Sequence, residues 1–273
     1  LLSSERTFAA QFVVAGEDKS RAKVLIMSIS PLASVKRTVQ MERDAIDALL
    51  TRIDGSFEQA CNIVLNSTGR VVVTGVGKSG HIASKIAATL ASTGTPAFFM
   101  HAGEASHGDL GMLTANDVVI AISGSGSTQE VVSLLPLIKR LDTPLVAITG
   151  NPLSTLAKSA TVHLDASVER EACPLDLAPT SSTTVTLVIG DALAVALLEM
   201  RGFSAEDFAF SHPGGALGRR LLLKVSDVMQ TDIPKVAPDS NIASALVEMS
   251  SKGLGMTTVC LLYTSPSPRD VHL

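Results

Sequence analysis

The sequence predicts an α/β fold, a parallel sheet wrapped by helices, and two observations carry the prediction. Apolar runs such as "RVVVTG" at 70–75 and "DVVIAIS" at 117–123 are continuous rather than alternating, the pattern of strands covered on both faces. These runs alternate along the chain with segments of helical periodicity, which brings successive strands into one parallel sheet.

The elements follow in order. The first 26 residues show no sustained periodicity and the first methionine is Met27, the expected native start, so residues 1–34 are set apart as an N-terminal extension. Helical spacing begins with Val35, Val39, Ile46, Leu49 and Leu50, and "SFEQACNIVLN" predicts a second helix opening at Ser56 with Gln59 in the capping-box position. Strands are then expected at 70–75, 96–100, 117–123, 144–150 and 161–165, with helices at 79–92, 127–141 and 152–158. The loop "ASVEREACPLDLAPTSS" is too long to be mere connection in a compact domain, which marks it as a functional candidate. A long helix at 183–201 follows. Its apolar stretch, 185–198, is shorter than a bilayer requires and carries Asp191, so it is expected in a core and no membrane partner is expected. Beyond "SHPGGALGRRLLLKVSDVM" come a short strand, a helix started by Asp239 or Ser240, and a strand, too little chain to bury its own core. The ending "LLYTSPSPRDVHL" holds the chain's one tyrosine and interrupts the strand-like "MTTVCLL", so residues 263–273 are expected to be a non-native tail.

Composition narrows the partners. At 46% hydrophobic residues the chain can fill a core, and a net charge of −4 without a Lys/Arg cluster argues against a nucleic-acid surface and for a small ligand. Cys61, Cys173 and Cys260 form neither a disulfide framework nor a CxxC pair, which fits a reducing cytoplasm. Acids at Glu5, Glu17 and Asp18 do not fit a secretory signal.

Ligands of open parallel sheets sit at the carboxyl ends of the strands. Two small-residue loops are expected there. In "TGVGKSGHIASK", Gly75, Gly77 and Gly80 satisfy GxGxxG, but the acid that should end the second strand is missing from "FFMHAGE", where Glu104 comes late. A Walker A loop also fails, because position 72 is not glycine. The second loop, "ISGSGSTQEV", sets the hydroxyls of Ser123, Ser125 and Thr128 among Gly124 and Gly126 at a helix start, where unpaired N–H groups favour a phosphate. Capping by Ser127 or Thr128 would explain one hydroxyl, not the series. Lys78 stands beside these loops as either a phosphate-side cation or a solvated lysine. His101 and His107 match no common zinc spacing. Glu169 and Glu171 lie in the long loop, where solvation is the default, and His212 sits in the constrained turn "SHPGG" with its role open.

Together, "GVGKSG", "SGSGSTQE", "EACPLDLAPTSST" and "SHPGGALGRRLL" closely resemble the D-arabinose 5-phosphate isomerases of the sugar isomerase (SIS) domain family over residues 35–262. The resemblance implies a five-stranded parallel sheet flanked by helices, a flavodoxin-like or Rossmann-like three-layer sandwich spanning 35–222, followed by an incomplete CBS module at 223–262. It further implies a cytoplasmic homotetramer without a cofactor or metal, interconverting D-ribulose 5-phosphate and D-arabinose 5-phosphate for Kdo and lipopolysaccharide synthesis. The family's phosphate site falls on Ser79, Ser123, Ser125 and Thr128, and its catalytic positions on Lys78, Glu130, Glu171 and His212. Gly124 departs from the usual Asn, and the second CBS module is absent, which leaves any regulatory nucleotide role for this region without support.

Within that framework Glu171 is the preferred base at carbon, provided that burial under "EACPLDLAP" raises its pKa. His212 is the preferred acid/base at oxygen, and Lys78 stabilises the enediolate. Glu130 either orients Lys78 or shares proton transfer. A non-catalytic sugar-phosphate sensor is the alternative from another class, although such proteins usually carry a basic recognition helix that this sequence lacks.

Overall fold

A computed structural model describes residues 9–12, 25–28, 30–211 and 224–259, which fall into two units, one within 1–212 and one within 213–273. In the first unit, β1 (Ala9–Phe12) pairs antiparallel with β2 (Leu25–Ser28), inside the region where the sequence shows no periodicity. Four-residue strands are too short for a period to register. Helix α1 (Pro31–Leu49) follows, with Ser30 capping it and Pro31 in its first turn, where the missing N–H costs nothing. Helix α2 (Gly55–Asn66) is capped by Asp54, which accepts from Ser56 N–H, so the expected Ser56/Gln59 capping box is not made. Asp at the N-cap satisfies orphan donors of the same first turn.

Five strands, β3 (Val71–Gly75), β4 (Ala97–His101), β5 (Val118–Ile122), β6 (Leu145–Thr149) and β7 (Val162–Asp165), form one sheet in the order β4-β3-β5-β6-β7. Every neighbouring pair is parallel. The continuous Val/Ile runs have their cause in two cores. Val71, Val73, Ile120, Ile122, Val146 and Ile148 point into one, and Val72, Val119, Ala121, Leu145 and Ala147 into the other. Successive strand residues face opposite ways, so a strand covered on both faces must be apolar at every position.

The first core is closed by α1, α2, α3 (Gly77–Ser92) and α8 (Ser181–Arg201). The second is closed by α4 (Ala102–Ala105), α5 (Gln129–Val132), α6 (Leu135–Arg140) and α7 (Thr155–Ser159). The helix expected over 127–141 is therefore two, because Pro136 has no N–H to continue α5 and sits instead in the first turn of α6. Helix α8 is, among the described residues, the one helix long and apolar enough to cross a bilayer, but Val185, Ile189, Leu193 and Leu197 are buried against the sheet layer. Each contributes about 1.5–3 kcal/mol by leaving water. Its Gly190 lets α3 approach closely, since a Cβ there would lie 2.3 Å from Ile86. Asp191 pairs with Lys85 of α3. A short helix α9 (Ala205–Ser211) ends this part of the chain.

Among the described residues, the second unit begins with α10 (Val225–Val228); β8 (Lys235–Val236) then pairs parallel with β9 (Thr258–Val259) across α11 (Ile242–Lys252). Asn241 caps α11, in place of the expected Asp239 or Ser240.

Candidate active site

The sheet changes direction between β3 and β5. The chain leaves β3 outward to β4 and returns to β5 on the other side, so the loops after β3 and β5 diverge and open a crevice at their carboxyl ends. Both glycine loops of the sequence lie there. After β3, Gly77 adopts φ +55° and starts α3, placing Lys78 and Ser79 in its first turn. Gly75 and Gly80 serve close packing: a Cβ on Gly80 would stand 3.1 Å from the Gly75 carbonyl oxygen. The GxGxxG spacing is thus explained by the strand-to-helix turn, and β4 ends at His101 without an acid.

The loop after β5 is tied down by its own hydroxyls. Ser123, 2% exposed, accepts from Gly126 N–H at 3.0 Å and is bonded to the Thr128 hydroxyl at 2.7 Å. Gly126 has φ +65°, and a Cβ on it would fall 2.1 Å from Ser154 Oγ, so only glycine lets the turn settle against α7. The Gly124 carbonyl accepts from Gly150 N–H at 3.0 Å and from Thr149 Oγ1 at 3.3 Å, fastening the loop to the end of β6. Thr128 is the N-cap of α5, but its hydroxyl goes to Ser123 rather than to the helix, so simple capping does not account for it. Ser125 is exposed, and its Oγ accepts from the Ser127 hydroxyl at 3.1 Å and N–H at 3.3 Å.

Across the crevice, the long loop after β7 brings Glu171 to the head of α8. Its Oε2 accepts from Thr180 N–H at 2.7 Å, Thr180 Oγ1 at 3.1 Å and Ser182 N–H at 3.2 Å, and its Oε1 accepts from the Ser182 hydroxyl. Thr180 Oγ1 in turn accepts from Ala172 N–H at 2.9 Å, and Glu171 N–H donates to Asp176 at 2.7 Å. Burial is the largest influence on this carboxyl and pushes its pKa up. The Ser182 hydroxyl, the Thr180 and Ser182 N–H groups and the Thr180 hydroxyl outweigh it and hold the pKa below the ordinary glutamate value. The expectation of a raised pKa is therefore overturned: helix-head donors accompany the burial and favour the ionised form.

One cavity of about 400 Å³ joins these parts; Ser79, Gly124, Ser125, Gly150, Glu171 and Ser182 are among the residues lining it. A cavity of about 640 Å³ lies at the opposite, amino-terminal end of the strands, lined by Glu58, Gln59, Asn62 and Asn116 among others, away from both glycine loops. The smaller cavity is the one that brings the Ser79 and Ser125 hydroxyls together with the Glu171 carboxylate.

Comparison with known proteins gives the chain a family. The SIS domain model matches residues 64–196. The arabinose 5-phosphate isomerase of Pseudomonas aeruginosa is 67% identical over 228 residues, which are 83% of this chain and 70% of the relative. That of Escherichia coli K12 is 58% identical over 227 residues, covering 82% and 69%. The chain belongs to the arabinose 5-phosphate isomerase family. Among solved structures, Escherichia coli CFT073 c3406 in complex with arabinose 5-phosphate is 43% identical, covers 67% of this chain and 97% of its own, and superposes with a TM-score of 0.65.

Of the positions that the family resemblance assigns, this isomerase-family chain gathers Ser79, Ser125 and Glu171 around the cavity, with Ser123 and Thr128 bracing the loop beneath Ser125. Lys78 and Glu130 are exposed at the heads of α3 and α5, and among the described residues no ion pair joins them. His212 lies outside the described residues. No group of three or more His, Cys, Asp or Glu is arranged to hold a metal among the described residues. The sequence reading missed Thr180 and Ser182. Their signal was the hydroxyl run "TSSTT" ahead of an apolar helix, the same kind of signal that marked "SGSGST".

Proposed function

We propose that this chain is an aldose-ketose isomerase that interconverts D-ribulose 5-phosphate and D-arabinose 5-phosphate through an enediol. The observation that carries this is one cavity lined by Ser79, Ser125 and Glu171, where hydroxyls suited to hold a phosphate share space with a carboxylate held in its ionised form. The named activity of relatives 56–67% identical to this chain supports the choice of pentose phosphate, as does the arabinose 5-phosphate held by the solved neighbour.

The substrate phosphate would rest against Ser79, Ser125 and the Gly124 backbone, with Ser123 and Thr128 holding the loop in shape. Glu171 would take the proton from the carbon beside the carbonyl. The C–H electron pair becomes the carbon–carbon double bond of the enediol, and the carbonyl π pair moves onto oxygen. Glu171 then returns the proton to the neighbouring carbon, so the reaction is redox-neutral overall. Lys78 would offset the charge developing on oxygen, and His212 would move the proton between the oxygens. Glu130, in the first turn of α5, would act at the rim of the phosphate grip. Under this proposal residues 35–222 form the isomerase domain and 223–262 a partial CBS module, in a cytoplasmic homotetramer whose product serves Kdo synthesis.

The test is an assay of the purified chain with D-ribulose 5-phosphate. Formation of arabinose 5-phosphate is the expected result. Binding of the sugar phosphate without conversion would overturn the enzyme assignment in favour of a sensor.

A further inference from the structure

The four hydrogen bonds on the Glu171 carboxylate are unequally shared between its oxygens. A carboxylate oxygen offers two lone-pair directions, four for the group. Oε2 receives three donors, from Thr180 N–H, Thr180 Oγ1 and Ser182 N–H, and is saturated; Oε1 receives one, from the Ser182 hydroxyl, and keeps a direction open. Thr180 is locked in turn, since its hydroxyl accepts from Ala172 N–H while donating to Oε2, which leaves that hydroxyl hydrogen no other direction. Ser182 lines the cavity together with Glu171, whereas Thr180 is not among the lining residues.

We infer that Thr180 and Ser182 are positioning residues for the isomerisation: Thr180 anchors Oε2 from behind, and Ser182 steers Oε1 as the oxygen that accepts the carbon-bound proton. This rests on Glu171 being the base. When Oε1 takes the proton along its open direction, the Ser182 hydroxyl keeps donating along the other, so the protonated intermediate keeps its orientation until the proton is returned. A base with this support needs no loop rearrangement between the two proton transfers, which is the value of fixed geometry in such a step.

Charged groups beside this cluster include Asp176, which accepts Glu171 N–H, Glu42 of α1, which accepts from Thr184 in the first turn of α8, and the chain neighbours Glu169 and Arg170. None forms an ion pair with Glu171. Burial and the four donors therefore govern its titration. Removing a hydroxyl leaves burial, the largest influence, less opposed.

The experiment measures kcat and kcat/KM for D-ribulose 5-phosphate against pH in the full chain and in Thr180→Val, Thr180→Ser, Ser182→Ala and Glu171→Gln variants. Thr180→Val and Ser182→Ala should move the acid limb up by about one pH unit and lower kcat ~10-fold or more with little change in KM. Thr180→Ser, which keeps the hydroxyl, should restore both. An unshifted acid limb in Thr180→Val and Ser182→Ala, with Glu171→Gln inactive, would refute the positioning role and leave Glu171 as base. Full turnover in Glu171→Gln would instead refute the base itself. Should Thr180→Val fail to fold by circular dichroism, Ser182→Ala decides, because it deletes one hydroxyl at a half-buried position.

Discussion

The loop after β5 and the loop between β7 and α8 face each other across one cavity, but they are held in different ways. The first is closed by contacts three to five residues apart, from Ser123 to Gly126 and Thr128. The second is closed by one carboxylate reaching nine and eleven residues ahead, to Thr180 and Ser182. A loop closed by several local hydroxyls and glycines keeps other contacts when one donor is lost. A grip centred on one acid places structure and chemistry on the same side chain. The two loops should therefore fail differently when altered.

The largest effect is expected from Glu171→Gln. It removes the proton acceptor while keeping shape, so kcat should fall ~10²-fold or more with sugar-phosphate binding largely retained. Turnover and substrate affinity measured on the same preparation check this; a loss confined to KM would place Glu171 in the grip rather than in proton transfer. On the opposite loop the most damaging change is Gly126→Ala. The left-handed φ and the overlap with Ser154 should cost roughly 2–5 kcal/mol of stability. Denaturant midpoints report this directly, and an unchanged midpoint would mean that the turn is less tightly seated against α7 than the 2.1 Å approach indicates.

Within the β5 loop the two serines separate grip from support. Ser125→Ala should weaken sugar-phosphate binding about 10-fold, close to one charge-assisted hydrogen bond, with stability unchanged. Ser123→Ala should instead lower stability by ~0.5–1.5 kcal/mol, because the Thr128 hydroxyl loses its partner while Gly126 N–H keeps the Ser123 carbonyl. Calorimetric titration and thermal melts of both variants decide between these roles. If both lose affinity equally and neither loses stability, Ser123 reaches the ligand too.

This contrast also explains what the sequence made legible. The sheet was plain because Val71 to Val73 and Val118 to Ile122 are buried on both faces, and nothing but continuous apolar runs can satisfy that. The β5 loop was legible for a local reason too: the hydroxyls that mark it, Ser123 and Thr128, bond to each other within the loop, although its Gly124 carbonyl is fastened to the end of β6. The clamp on Glu171 was not, because no short pattern ties an acid to hydroxyls nine and eleven residues on, and the direction of its pKa depends on donors that only the fold brings together. The hinge between α5 and α6 lay in view at Pro136, but helical periodicity ran through it. The β1–β2 pair and the Asp54 cap depend on short or single-residue features that periodicity does not weigh.

The smallest predicted effect concerns acid stability and again sets the loops apart. The folded-state pKa of Glu171 lies below its unfolded value, so its contribution to stability is fully present above the ordinary glutamate range, about pH 4.3, and is lost as pH falls through the lower folded value. The β5 loop is held by hydroxyls and backbone groups that do not titrate there. Lowering the pH from 7 to 4 and then to 3 should therefore destabilise wild type slightly more than Glu171→Gln, with the difference starting in the first step and growing in the second. Ser123→Ala should run parallel to wild type throughout. Urea midpoints at the three pH values supply the comparison. A constant gap between wild type and Glu171→Gln would mean that the carboxylate is no better held in the folded chain than in the unfolded one, and that α8 keeps its register without it.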